Sequence, residues 1–171
     1  MQKRLFLTMV LGGALALSGC NPTYNWRDYS SPDAPYRIMF PAKPATHTRS
    51  IDLDGMRVEM TMTAAEVESV MFAVGTGVAP DPARARAAVS AMKTALVRNI
   101  GAKVERESAA AAGAGMSVEI DALGTANGQP MKLRGRFVAD GKRFYQVIVM
   151  GRADAVAAEH ADQFIASFKA L

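Results

Sequence analysis

The sequence predicts an α+β protein: a mostly antiparallel sheet with two packed helices, in the order strands, helix, strands, helix. Three observations lead there. Alternating apolar and polar residues flank the dipeptides Asp54-Gly55, Asn127-Gly128 and Asp140-Gly141, the turn chemistry of antiparallel hairpins. Apolar residues recur at helical spacing in two stretches, near residues 85–100 and 157–171. The strands before the first helix form hairpins and not βαβ units, so a parallel, doubly wound sheet is not expected.

The elements follow in order. Tyr36-Arg37-Ile38-Met39-Phe40 reads as a short strand stopped by Pro41 and Pro44. A hairpin around Asp54-Gly55 pairs Ile51 with Val58 and Asp52 with Arg57. Its second strand sets Val58, Met60, Met62 and Ala64 on an apolar face, opposite Arg57, Glu59, Thr61 and Thr63. Residues 69–75 are apolar on both faces and predict a central strand. Asp81 is placed to cap a helix that has Pro82 at its first position, an apolar face of Ala85, Val89, Met92, Leu96 and Ile100, and Gly101 as its stop. Arg84, Arg86, Lys93 and Arg98 are expected on its wet side.

Residues 103–107 predict a short strand, and the low-complexity run at 109–115 a flexible loop. Three strands then follow. The Asn127-Gly128 turn pairs Val118 with Phe137 and Ala122 with Leu133 on one face, and Glu119 with Arg136 and Asp121 with Arg134 on the other. The Asp140-Gly141 turn pairs Phe137 with Phe144. A last helix from about Asp154 buries Ala157, Ala161, Phe164, Phe168 and Leu171.

The chain starts with Lys3 and Arg4, followed by a run from Leu5 to Leu17 that is apolar or small except for Thr8. Such a run is too short for a membrane-spanning helix, which needs roughly 20 residues, and has the layout of a secretory signal peptide. The lone cysteine, Cys20, stands at its end. One cysteine forms no internal disulfide. Leu17-Ser18-Gly19-Cys20 resembles the lipobox of bacterial lipoproteins. The resemblance implies cleavage between Gly19 and Cys20, a diacylglycerol on the Cys20 thiol and acylation of the new amine. Several acyl chains together give stable anchoring where one does not. Asn21, where an aspartate would signal retention, implies transfer to an outer membrane facing the periplasm. The expected organisation is a signal peptide over 1–19, a lipidated Cys20 with a linker over 20–35, and a single domain over 36–171. Tyr24, Trp26 and Tyr29 are unusual in a plain tether; of a place at the lipid headgroups, docking on the domain and no fixed role, the last two are favoured, because the anchor already supplies membrane affinity.

Cleavage would remove Lys3 and Arg4 and lower the formal net charge from +4 to +2, which argues against a nucleic-acid partner. Eleven methionines fit a core, since several fall at inward strand positions. The opening YRIMFPAKP, the central helix, and the closing strand followed by QFIASFKA resemble the Mog1/PsbP-like α+β sandwich group. That group implies binding or accessory roles and carries no catalytic signature.

Gly75-Thr76-Gly77-Val78-Ala79-Pro80 has the outline of a dinucleotide-binding turn, but Pro80 stands where a third glycine belongs. The glycines are expected to turn the chain out of a strand. Lys132, Arg134 and Arg136 alternate along one strand face; the register sets Asp121 and Glu119 against the two arginines, leaving Lys132 with Lys142 and Arg143 as a possible basic surface. His47 and His160 have no ligand-like neighbours apart from Glu159 and Asp162 on the solvent side of the last helix, so neither a metal site nor a cofactor is expected. No nucleophile elbow or His-backed serine is present, and no catalytic residue is assigned. Asp52, Asp54, Glu66 and Glu68 fall on wet faces or turns. The leading expectation is a non-catalytic binding or accessory module of the cell envelope, held to the membrane by lipid and working on an envelope protein. A carrier or sensor of a small apolar ligand is the alternative, and a hydrolase comes third.

Overall fold

The computed structural model describes residues 22–112 and 115–171. Gly19 and Cys20, and with them the signal peptide and lipid site, lie outside the described residues. Ten strands and two helices follow in order: β1 (Arg27–Ser30), β2 (Tyr36–Phe40), β3 (Ala45–Leu53), β4 (Met56–Val67), β5 (Val70–Val78), α1 (Pro82–Asn99), β6 (Lys103–Ala112), β7 (Gly115–Ala126), β8 (Gln129–Asp140), β9 (Arg143–Arg152), α2 (Ala158–Ser167) and β10 (Lys169–Ala170). The fold class is the expected α+β.

Seven strands form one antiparallel sheet in the order β3-β4-β5-β9-β8-β7-β6. Each helix covers one face. On the first, Ala85, Ala88, Val89 and Met92 of α1 pack against Met60, Leu133, Phe137, Phe144 and Ile148. On the second, Phe164, Ile165 and Phe168 from the α2 region pack with Phe72, Val74, Tyr145, Val147 and Val149. A small sheet of order β1-β2-β10 completes that layer and turns Tyr36, Ile38 and Phe40 into the same core. Phe164 lies 5.4 Å from Phe72 and 5.3 Å from Phe40, and Phe168 5.2 Å from Tyr145, so aromatic rings fill the space between sheet and helix.

Local chemistry accounts for most boundaries. Asp54 and Gly55 both take positive φ, as do Asn127 and Gly128, and both turns hold the expected register: Ile51 opposite Val58, Val118 opposite Phe137, Asp121 opposite Arg134. Asp81 caps α1 by accepting from the Arg84 amide at 2.8 Å, and Gly101, at φ +54, ends it.

Five expectations are corrected. The segment read as linker contains β1, which pairs antiparallel with β2 from Arg27 opposite Phe40 to Ser30 opposite Arg37. The alanine run is not a loop: Ala109 pairs with Val118 and Ala112 with Gly115, because β7 supplies the backbone partners that override the weak strand propensity of alanine. The third hairpin turns at Gly141-Lys142, with Asp140 opposite Arg143, so Phe137 faces Gln146 and Ala139 faces Phe144. The shift is two residues, an even number, so every side chain keeps its face. The central strand runs over Val70–Val78, entered through Glu68 and Ser69, both at positive φ. The last helix starts at Ala158 because Asp154 is engaged by Arg152 in the turn before it; the helix stops at Ser167, and Leu171 is 69% exposed beyond it.

Candidate functional site

The sheet is wider than α2. Beside the helix, over β6, β7 and β8, lies an open groove of about 470 Å³, lined among others by Arg106, Asp121, Leu123, Lys132, Arg134 and Asp162. Strand alternation sends Asp121 and Arg134 to the same face as cross-strand partners. Arg134 Nε lies 2.6 Å from Asp121 Oδ1, and Arg106 Nη2 lies 2.5 Å from Oδ2. Arg134 also pairs with Asp162 of α2. A second rung joins Arg136 Nε to Glu119 Oε1 at 3.7 Å and to the Ser117 hydroxyl, to which it donates at 3.3 Å. Asp121 Oδ1 is buried and receives no well-aligned hydrogen bond, so it is held by its contact with the guanidinium charge. The expected pairing of Asp121 and Glu119 with the two arginines is thus present.

A bulge between Val104 and Arg106 turns Arg106 onto this face opposite Asp121, extending the row in a way that simple alternation does not reveal. Arg106 and Asp162 were not assigned to a site from the sequence. The spacing of charges on β7 and β8 is legible there, whereas the bulge and the reach from α2 are tertiary. Among the described residues, Lys132 makes no ion pair and stands as a free cation on the groove wall. The groove is therefore a salt-bridged floor, nearly neutral, with the Lys132 cation, the Glu105 carboxylate and the 44% exposed Leu123 beside it.

The basic surface of Lys132, Lys142 and Arg143 does not assemble. Lys132 lies near the start of β8, and Lys142 and Arg143 lie past its end; eight residues of strand separate them by roughly 25 Å. Arg143 instead shares a groove with Asp33, Arg57 and Glu59.

The second notable surface is the N-terminal segment. The Tyr24 ring stacks on His160 of α2, with centroids 3.8 Å apart, and meets the Phe72 edge at 6.2 Å. Trp26 makes a T-shaped contact with Phe72 at 6.0 Å. Tyr29 meets Phe40 at 5.5 Å, and the Asn25 amide donates to the Pro41 carbonyl at 2.8 Å. These three aromatics dock on the domain as expected. His160, expected at the surface, is half-buried beneath Tyr24. Burial, and secondarily the nearby Glu68 carboxylate, push the Tyr24 hydroxyl above its ordinary pKa.

Gly75 and Gly77 lie inside β5 and do not turn the chain out of it. A Cβ at Gly75 would meet Met60 and Met62, and one at Gly77 would meet Phe144, so both make room for neighbouring side chains. Asp52 accepts the Gly55 amide at 2.7 Å and steadies its turn, while Glu66 and Glu68 are exposed. His47 is exposed on β3. Among the described residues no three His, Cys, Asp or Glu side chains gather at a metal-binding spacing, and no helix is long and apolar enough to cross a membrane.

Two helices packed on the faces of an antiparallel sheet define the α+β sandwich class. Within it, the chain shares the fold of the cyanobacterial PsbP protein CyanoP from Synechocystis sp. PCC 6803. The TM-score is 0.54 at 12% identity, over 93% of this chain and all of that one. Looser likenesses are to a protein from Bacteroides thetaiotaomicron (TM-score 0.46, 14% identity, 84% of this chain and 48% of that one) and to a protein of unknown function from Pseudomonas aeruginosa (TM-score 0.38, 11% identity, 75% and 84%). No protein-family model and no curated protein matches the sequence.

Proposed function

We propose that the chain is a lipid-anchored, non-catalytic binding or accessory module of a bacterial cell envelope, joined to the outer membrane through Cys20 and facing the periplasm. One observation carries this reading. The lipobox residues Leu17-Ser18-Gly19-Cys20 stand directly before a segment that is built into the fold from Tyr24 onward. A lipid at Cys20 would hold a folded domain close to a membrane, the placement an envelope accessory protein needs. The fold shared with CyanoP supports the module reading, and the aromatic filling beside α2 supports a packed core over a ligand cage there.

Metabolic labelling with an alkyne-tagged fatty acid in a Gram-negative host tests the anchor. Labelled wild type and unlabelled Cys20→Ser are expected; label retained by Cys20→Ser would refute it. Photo-cross-linkers at Lys132 and Lys142 in intact cells test the module. A single, reproducible envelope protein captured from one position supports it. A co-purifying lipid or small molecule without a protein partner would replace it with the carrier reading.

A further inference from the structure

Among the described residues, the aromatic contacts nearest Cys20 in sequence lie at one end of the sandwich. Tyr24 contacts Phe72 and His160, and the Glu68 carboxylate is close enough to act on its hydroxyl. Phe72 lies just past the β4–β5 turn at Glu68-Ser69, and His160 lies in the first turn of α2. The strand register places the β3–β4 turn at Asp54-Gly55 and the β8–β9 turn at Gly141-Lys142 at the opposite end. β9 runs between the two ends, Arg143 to Arg152, for about 30 Å.

Tyr24 is four residue steps from Cys20, with three residues between, and a fully extended chain covers at most about 14 Å over that distance. The tether is thus about half as long as the domain. Residues 24–30 are fixed by the Tyr24–His160 stack, the Trp26–Phe72 contact, the Asn25 hydrogen bond and the β1–β2 ladder. The body is thus fixed from Tyr24 onward.

From this we infer that the end carrying Tyr24, Trp26, the Glu68-Ser69 turn and the start of α2 is the membrane-facing surface, and that the Gly141-Lys142 end points away from the bilayer. The inference rests on the anchoring proposed at Cys20. The partner surface is the headgroup layer of the bilayer. The half-buried rings of Tyr24 and Trp26 suit it, being apolar bodies with polar tips. Glu68 and Glu159 flank them, so the short tether and its docking set the orientation, and attraction to anionic lipid does not.

The test uses the full chain, processed and acylated in a bacterial host and placed in phosphatidylcholine vesicles with nitroxide-labelled headgroups. Cys20 is the only cysteine and its thiol is blocked by lipid, so an environment-sensitive fluorophore reports one introduced site, Glu159→Cys or Lys142→Cys; both parent residues are exposed. At least three-fold stronger quenching at position 159 than at 142 is expected. Adding Tyr24→Ala and Trp26→Ala is expected to bring the ratio towards one while the protein still floats with vesicles. Equal quenching at both sites in floated protein, or stronger quenching at 142, overturns the orientation and leaves the anchor intact. Failure of the unsubstituted chain to float overturns the anchor, and the orientation with it.

Discussion

Gly77 gives the most direct check on the reading of β5. It stands opposite Phe144 across the β5–β9 ladder. A Cβ at Gly77 would lie 2.5 Å from Phe144 Cζ, 3.1 Å from Cε2 and 3.2 Å from the Glu59 carbonyl oxygen. The first distance is far inside van der Waals contact. The Phe144 ring is fully buried, and Glu59 O belongs to the neighbouring strand. Forcing a methyl into such a place costs about 1–3 kcal/mol. Removing a glycine from a strand interior returns about 0.5–1 kcal/mol. The 2.5 Å approach sets the cost at the upper end of that range, about 2–3 kcal/mol, so Gly77→Ala should lose roughly 1–2.5 kcal/mol net and lower Tm by about 2–10 °C for a chain of this size. Were Gly77 part of a turn with ordinary φ, as the sequence alone implied, the same change would stabilise by about 0.4–1 kcal/mol through the unfolded state, so the two placements predict opposite signs. Urea titration followed by circular dichroism reads the difference. Gly77→Ala with an unchanged or higher midpoint would refute the close packing of Phe144 on Gly77. A second arm uses Phe144→Leu: the Gly77→Ala cost should shrink by more than about 0.5 kcal/mol in that background, and strict additivity would likewise count against the contact.

Other changes probe the remaining contacts. The Tyr145 hydroxyl is buried and donates to the Pro35 carbonyl at 3.2 Å, and burial pushes its pKa up to about 12. The unfolded chain loses that proton from pH ~10, so this contribution is complete below pH ~10 and is lost as the pH rises towards 12, up to about 2–3 kcal/mol. Burial shifts Tyr36 in the same direction. Urea midpoints at pH 8 and pH 11 should differ accordingly and differ less in Tyr145→Phe; equal drops in both would exclude Tyr145 as a source. Asp121→Ala leaves the Arg134 guanidinium, whose side chain is only 14% exposed, with Asp162 as its one remaining ion-pair partner among the described residues, and should destabilise by about 1–3 kcal/mol. A thermal melt unchanged within error would show that the groove row adds nothing to stability. Glu68 and Ser69 hold positive φ without a glycine. Replacing them by Asn-Gly should stabilise by about 1 kcal/mol, and a lower urea midpoint would show that this turn is not of the two-residue type.

The fold was legible wherever a short-range rule had one solution. Asp54-Gly55 and Asn127-Gly128 determine both turn type and register, and the periodicities on either side agree with them. The rule was weaker at residues 140–142, because Asp140-Gly141 and Gly141-Lys142 each make an acceptable two-residue turn. The pairing of Asp140 with Arg143 decides between them, and that belongs to the folded sheet. Glu68-Ser69 was not legible as a turn, since neither residue favours positive φ; the strands on either side impose it. The alanine run at 109–112 has little strand propensity of its own and is ordered by its partner β7, a contact between two strands that local composition cannot register.

The same distinction divides the two surfaces. The charge row was half readable: alternation on β7 and β8 sets Glu119 and Asp121 against the arginines, but a bulge supplies Arg106 and a helix more than 25 residues later supplies Asp162. The docked N-terminal segment was readable only as a surplus of aromatics in a stretch whose prolines and polar residues spell a linker. What makes it structure is a hydrophobic site formed by distant parts of the chain: Phe72 from β5, Phe40 at the end of β2 with Pro41 just past it, and His160 from α2. Each of those residues has an adequate explanation in its own element. Only their convergence at one end of the sandwich gives Tyr24 and Trp26 a place to bind, and that convergence shortens the path from Cys20 to the body from sixteen residues, as a linker, to four. A free sixteen-residue chain would span about 20–24 Å on average and leave the domain to turn at random. With the lipid proposed at Cys20, four residues leading into a stacked ring would impose an orientation. The proposed function turns on this difference: a module anchored at Cys20 in that orientation would present the same groove and the same Gly141-Lys142 end to every partner at a fixed height above the bilayer.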